Sequence, residues 1–322
     1  MPGGRFDLMW AFRSIDEARS AFEALRALAI SPSPYRALLS SVARHADGTP
    51  MATLTGNLLR VSLSKPWPDA AADLSHPATS FSGEAAFLQG ETSLDANVGA
   101  AQGRPFLDRL SFERKPLRSA ERAVLQGRAD VGLGVQGTQG QARHITYVVL
   151  NKALADDSAV QAAIAAGLPD QAWTTVLVSP SATVGEKPQS SPVQRLDGKA
   201  LHITFDQAEG AQRALAERLQ LRLSVRGAKV TLRPLSAEDV LREWNTGNAQ
   251  VLIMSLWLPV SNAAAQALRG ELAKSTDADD IRRRTLPAFA QRCPVREAPH
   301  VGGLRFDAHG LPLLEDLYLV PK

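Results

Sequence analysis

The sequence predicts an α/β protein built around a parallel sheet. Three observations lead there. Between Leu201 and Trp257, strand-like and helix-like segments alternate at lengths that fit βαβ units, which demand parallel strands and right-handed crossovers. Glycines stand where those helices must stop, at Gly227 and Gly247. Apolar residues make up 44% of 322 positions, enough to bury a sizeable core and to exclude a wholly disordered chain.

The elements follow in order. Ser14 with Glu17 three residues later has capping-box spacing, and Ile15, Ala18, Phe22 and Leu25 recur behind it at helical period, so a helix starts here with one apolar face. Pro32 and Pro34 end it. Leu58–Ser64 alternates as a strand and Lys65-Pro66-Trp67-Pro68 stops it, because prolines cannot donate to a ladder. Leu107, Leu110 and Phe112 suggest a short strand, and Ser119 is expected to cap a helix that terminates at Gly127. Tyr147–Leu150 reads as a buried strand, 158–166 as an alanine-rich helix ended by Gly167, and the Pro-, Ser-, Gly- and Gln-rich stretch 179–198 as a loop. In the regular block, a strand at 201–205, a helix at 208–226, a strand at 229–233, a helix opened by the Ser236/Asp239 pair and a strand at 250–256 complete βαβαβ. Two helical stretches, 263–274 and 278–286, and short strands at 301–306 and 317–320 close the chain.

Composition narrows the function. The net charge of +3 is spread along the chain rather than gathered in a tail, so no nucleic-acid partner is implied. One cysteine, Cys293, excludes an intramolecular disulfide and a thiolate-rich metal site. The longest apolar stretch, 251–260, is interrupted by Ser255 and Pro259 and falls far short of the ~20 residues of a spanning helix, so no membrane span is expected. The residues after Met1 have no apolar run of signal-peptide type, and the chain as written would be cytoplasmic.

Motifs for chemistry are sparse. Gly132-Leu133-Gly134-Val135-Gln136-Gly137 has the G-x-G-x-x-G spelling, but no helix start follows to hold a pyrophosphate, and the run reads as a glycine-rich crossover. The six histidines show no metal-ligand spacing, and no G-x-S-x-G elbow marks a nucleophile, so no metal, cofactor or catalytic residue is assigned and an enzyme is not expected. Arg282-Arg283-Arg284 reads as a solvated helix surface, with its members pointing to different faces. Trp257 ends a strand of the parallel sheet, the place where open α/β sheets hold ligands.

Several segments resemble the peptide- and nickel-type (family 5) solute-binding proteins of ABC importers. They are Leu94-Asp95-Ala96-Asn97, then the run from Gly103-Arg104-Pro105-Phe106 through Leu107-Asp108-Arg109-Leu110-Ser111-Phe112, then Ala123 to Val131. Ser33-Pro34-Tyr35, Leu74-Ser75-His76-Pro77-Ala78, Tyr147 to Asn151 and Gly302 to Gly310 fall where the family has counterparts. The resemblance implies a two-lobe, periplasmic-binding-protein-like class II fold, with 1–142 and 285–322 in a first lobe incomplete at its N-terminus and 143–284 in a second lobe. It implies a non-catalytic receptor that takes a peptide or other small solute in an interlobe cleft and hands it to an ABC permease. On this mapping the candidate ligand residues are Tyr147, Asn151, Ser255, Trp257 and Asn262, with the two aromatics stacking and the others hydrogen bonding. Where the family carries an aspartate three residues after the tryptophan, to pair a peptide's amino group, this chain has Val260, and the family's arginine after Asp157 is Gln161. That departure keeps a second expectation open: a degenerate solute-binding fold acting as a cytoplasmic interaction or regulatory module, with a partner chain or second copy covering an exposed first-lobe edge.

Overall fold

The computed structural model of the chain describes residues 6–74, 76, 87–89, 93–97, 105–113, 115–140, 144–169, 181–182, 195–292 and 294–320. Cys293, Pro77-Ala78, Gly103-Arg104 and most of the 179–198 stretch lie outside the described residues. Two compact units are formed, one from 1–140, 259–264 and 293–322, the other from 141–258 and 265–292.

The first unit opens with β1 (Phe6–Ala11), α1 (Ile15–Ile30), β2 (Ala52–Thr55) and β3 (Leu58–Leu63), the strands forming an antiparallel sheet in the order β1-β3-β2. Ser14 Oγ accepts from the Glu17 amide at 3.1 Å, while the Glu17 carboxylate reaches past Ser14 to accept from the Arg13 amide at 2.9 Å. Both bonds quiet the helix start as the spacing predicts, with the return bond shifted by one residue. Ala21, Leu25 and Leu28 on one stripe of α1 pack with Leu59, Val61 and Leu63, the alternate residues of β3. Trp67 joins this cluster and its indole donates to Asp73 Oδ2 at 2.8 Å, which ties α2 (Ala70–Leu74) to the core.

A second small antiparallel sheet follows, β4 (Phe87–Gln89), β5 (Ser93–Ala96) and β6 (Arg109–Ser111). α3 (Leu117–Leu125) has Pro116 at its N-cap and no side-chain cap. Ser119, the expected cap, lies inside the helix, whose N-cap position is taken by Pro116 three residues earlier. Gly127, at φ 64°, ends it in the left-handed region. The glycine-rich run then forms β7 (Val131–Gln139), a strand rather than a crossover.

The second unit contains β8 (His144–Leu150), α4 (Lys152–Ala155), α5 (Ser158–Gly167), β9 (Ser181–Ala182), β10 (Ala200–Asp206), α6 (Gly210–Ser224), β11 (Lys229–Leu235), α7 (Ala237–Thr246), β12 (Val251–Trp257), most of α8 (Asn262–Ala273), α9 (Ala278–Arg284) and β13 (Thr285–Gln291). Its six-stranded sheet runs β11-β10-β12-β8-β13-β9. The βαβαβ block is parallel as expected, and β8, β13 and β9 extend it with antiparallel pairings, so the sheet as a whole is mixed. Because β13 hydrogen-bonds to β8, residues 285–292 belong to the second unit, beyond the boundary the sequence suggests at 284/285.

Phe205 and Leu201 of β10, Leu215 and Leu219 of α6, Ile253 of β12 and Phe289 of β13 meet in one continuous cluster. Each fully buried side chain of this kind contributes about 1.5–3 kcal/mol. Ser236 Oγ accepts from the Asp239 amide at 3.2 Å and Gly247 ends α7 at φ 71°, both where the sequence marks them. Of the three consecutive arginines, Arg282 is exposed, but the Arg284 side chain is only 14% exposed and donates to the Leu150 carbonyl at 3.2 Å.

The chain returns to the first unit with β14 (Pro294–Glu297), β15 (Val301–Gly302) and β16 (Tyr318–Leu319). β14 pairs with β7 across an irregularity, and a Cβ at Gly137 would collide with the Val295 carbonyl. Close backbone approach accounts for Gly137, the Val124 and Val135 side chains crowd Gly132, and Gly134 adopts a left-handed φ of 78°, so no phosphate cradle is needed to account for these glycines. Among the described residues, no helix is long and apolar enough to cross a membrane.

Candidate functional site

The β8–β12 ladder positions the candidate residues. Its register pairs His144 with Trp257, Thr146 with Ser255, Tyr147 with Met254 and Leu150 with Val251. Side chains alternate across a strand, so His144, Thr146, Val148 and Leu150 share a face with Trp257, Ser255, Ile253 and Val251. Val148, Leu150, Ile253 and Val251 fill the main core, and the same face becomes polar and half-buried toward the Trp257 end.

At that end, the Trp257 and His144 rings stack with centroids 4.7 Å apart and planes inclined by 28°. Burial holds the His144 imidazole below its ordinary pKa, partly offset by the Gln291 side chain, its neighbour on β13. The imidazole therefore favours its neutral form. Next along the face, Thr146 Oγ1 and Ser255 Oγ share a hydrogen bond of 2.9 Å. Gln212 of α6, only 4% exposed, donates to Ser255 Oγ at 3.1 Å and accepts from the Asp206 amide at 3.0 Å. This chain fixes the serine hydroxyl from two sides and anchors it to β10. Ser255 is thereby a positioned hydrogen-bonding group, held by a threonine and a glutamine.

The other predicted residues lie elsewhere. Tyr147 sits on the opposite face of the sheet, 2% exposed, with the Arg269 guanidinium 5.9 Å from its ring centre. Burial pushes its phenol up in pKa, and the nearby Arg269 charge draws it partly back. Arg269 also reaches the Thr285 carbonyl and hydroxyl, each at 3.4 Å. Asn151 lies beyond the far end of β8, about 23 Å from His144 at a strand's rise of about 3.3 Å per residue. Its side chain accepts from the Leu154 amide at 2.9 Å and so caps α4. Asn262 is exposed at the first position of α8, in the 259–264 segment grouped with the first unit. The structure thus puts Ser255 and Trp257 on one face of the sheet, Tyr147 on the opposite face and Asn151 beyond the far end of β8.

His144, Thr146, Gln212 and Gln291 complete the Trp257 end and carry no sequence signal. Thr146 and Ser255 are 109 residues apart, and only the ladder register makes them neighbours. The assembled surface can stack against a planar or apolar group and hydrogen-bond beside it. Among the described residues, no group of three or more histidine, cysteine, aspartate or glutamate side chains could hold a metal ion.

No protein-family model matches the chain, and no curated protein sequence does. Solved structures do match over nearly its whole length. NikA from Brucella suis in complex with Fe(III)-EDTA is 14% identical, with 97% of this chain and 88% of that chain covered at a TM-score of 0.66. The pheromone receptor PrgZ, solved for its mode of peptide binding, is 14% identical over 98% of this chain and 88% of its own, at 0.67. OppA from Haemophilus influenzae complexed with the peptide RPPGFSPFR is 11% identical over 98% and 88%, at 0.66. At these identities the likeness establishes the fold: the chain has the architecture of two-lobe periplasmic solute-binding proteins, as the resemblance in its sequence implies.

Proposed function

We propose that the protein is a non-catalytic solute-binding receptor that takes a peptide or other small solute against the Trp257 end of the second unit and works with an ABC permease. The observation that carries this reading is the half-buried Trp257 ring stacked on His144, beside a serine hydroxyl fixed by Thr146 and Gln212. Stacking surfaces next to a few convergent polar groups are how small-molecule sites obtain both area and orientation. The fold shared with NikA, PrgZ and OppA, whose structures hold a metal chelate or concern peptides, supports the same class of ligand.

With Val260 where the resemblance places an aspartate, a bound ammonium would have no carboxylate at that position, and leaving a charge unpaired is costly. The preferred solute therefore presents an apolar or planar group, rather than a free amino terminus, to this surface. Titration calorimetry against short peptides with free or acetylated amino termini, amino acids and nickel tests the reading. Saturable binding of an acetylated peptide, weakened in Trp257→Ala, is expected; no saturable response across the panel would overturn it. Val260 also favours a second reading, a solute-binding fold turned to protein interaction. A pull-down that recovers a stoichiometric partner from a chain that binds none of those solutes would establish it instead.

A further inference from the structure

We propose that the first unit carries a separate ligand site, the cavity between α1 and the β1–β3 sheet, and that it takes a small uncharged aromatic or alkyl molecule of about benzene's size. The cavity measures about 140 Å³, and its walls include Trp10 and Phe12, Ala21 and Ala24 of α1, Leu59 of β3 and Leu74 of α2. A volume near 150 Å³ suits a molecule of benzene's size, and apolar walls give a water few of the two to four polar partners it needs, so such a molecule displaces only weakly held water.

The sequence shows why the space exists. The inward stripe of α1 carries leucines at 25 and 28 but only alanines at 21 and 24, so one stretch of the helix stands off from the sheet. Wall atoms facing that space forfeit dispersion contacts that a ligand would restore. Among the described residues, Ala21 and Leu59 are buried at the floor, while Trp10, Phe12, Ala24 and Leu74 are only half-buried and form a mouth. No charged side chain among the described residues lines the cavity, so an ionic ligand would lose its hydration without compensation. This inference stands independently of the solute reading, since Trp257 and its neighbours belong to the other unit.

The test is thermal unfolding and methyl NMR of the full chain titrated with benzene and, in a parallel arm, with benzylammonium. The expected result with benzene is a melting midpoint that climbs with its concentration, with saturating shifts of the Ala21 and Leu59 methyls, and no such shifts with benzylammonium. Ala24→Leu should abolish the benzene response, and Trp257→Ala should keep it. Should Ala24→Leu fail to fold, Ala24→Met is read the same way. A wild type without saturable shifts, a filled variant that still responds, or equal shifts with benzylammonium would each overturn the proposal. Loss of solute binding in Trp257→Ala with the benzene response intact would leave it standing.

Discussion

The two units bury their apolar residues in different ways. The second wraps α5 and α6 around a six-stranded sheet and gathers Phe205, Leu215, Leu219, Ile253 and Phe289 into one cluster. The first divides its strands among sheets of two or three and keeps separate clusters, one under α1 and another around Val124, Ala298 and Leu317. A continuous core closes every gap by contact from all sides, whereas a small sheet with one helix leaves space wherever that helix carries alanine. The cavity beneath α1 belongs to the second situation. The polar strip at Trp257 belongs to the first, as the place where a wide core face reaches its edge.

Truncation should break this contrast most sharply. Phe289→Ala removes a fully buried ring from the centre of the second unit and should cost about 3–5 kcal/mol in urea unfolding. Within the same face, Gln212→Leu removes one of the Ser255 hydroxyl's two partners and takes the side-chain acceptor from the Asp206 amide, and should cost about 1–3 kcal/mol, with weaker solute binding in calorimetry. In the first unit the sign reverses: Ala24→Leu fills space and should gain about 0.5–2 kcal/mol by the same urea assay. Removing a cap, as in Ser236→Ala, should cost about 1 kcal/mol.

The smallest effect is expected from pH. The folded-state pKa of His144 lies below the unfolded value, so as pH falls below about 6.5 the unfolded chain takes up a proton that the folded chain resists. Stability should therefore decline on acidification until the folded imidazole also titrates, and His144→Phe, which keeps a ring against Trp257, should flatten that slope in melts across pH.

Local signals served where the physics is local. The Ser14 and Ser236 caps, the Gly127 and Gly247 stops and the βαβαβ rhythm each depend on residues a few positions apart, and each lies where the sequence marks it. Ser119 failed as a cap because a neighbouring proline could open the same helix, a competition that spacing alone does not decide. The candidate site was legible only in part. Ser255 and Trp257 lie two apart on one strand and therefore share a face by the period of the strand itself.

What the sequence determined by itself is the α/β class, the parallel block and the ends of its main helices, because capping, glycine stops and hydrophobic period act within a turn or a strand. Only the tertiary structure decided which distant side chains meet. A one-residue change of register would exchange the faces of β8, bringing Tyr147 to Trp257's side and taking His144 away. That register is set by β12 and β13 pairing on either side of β8, across long stretches of chain, and no local pattern encodes it.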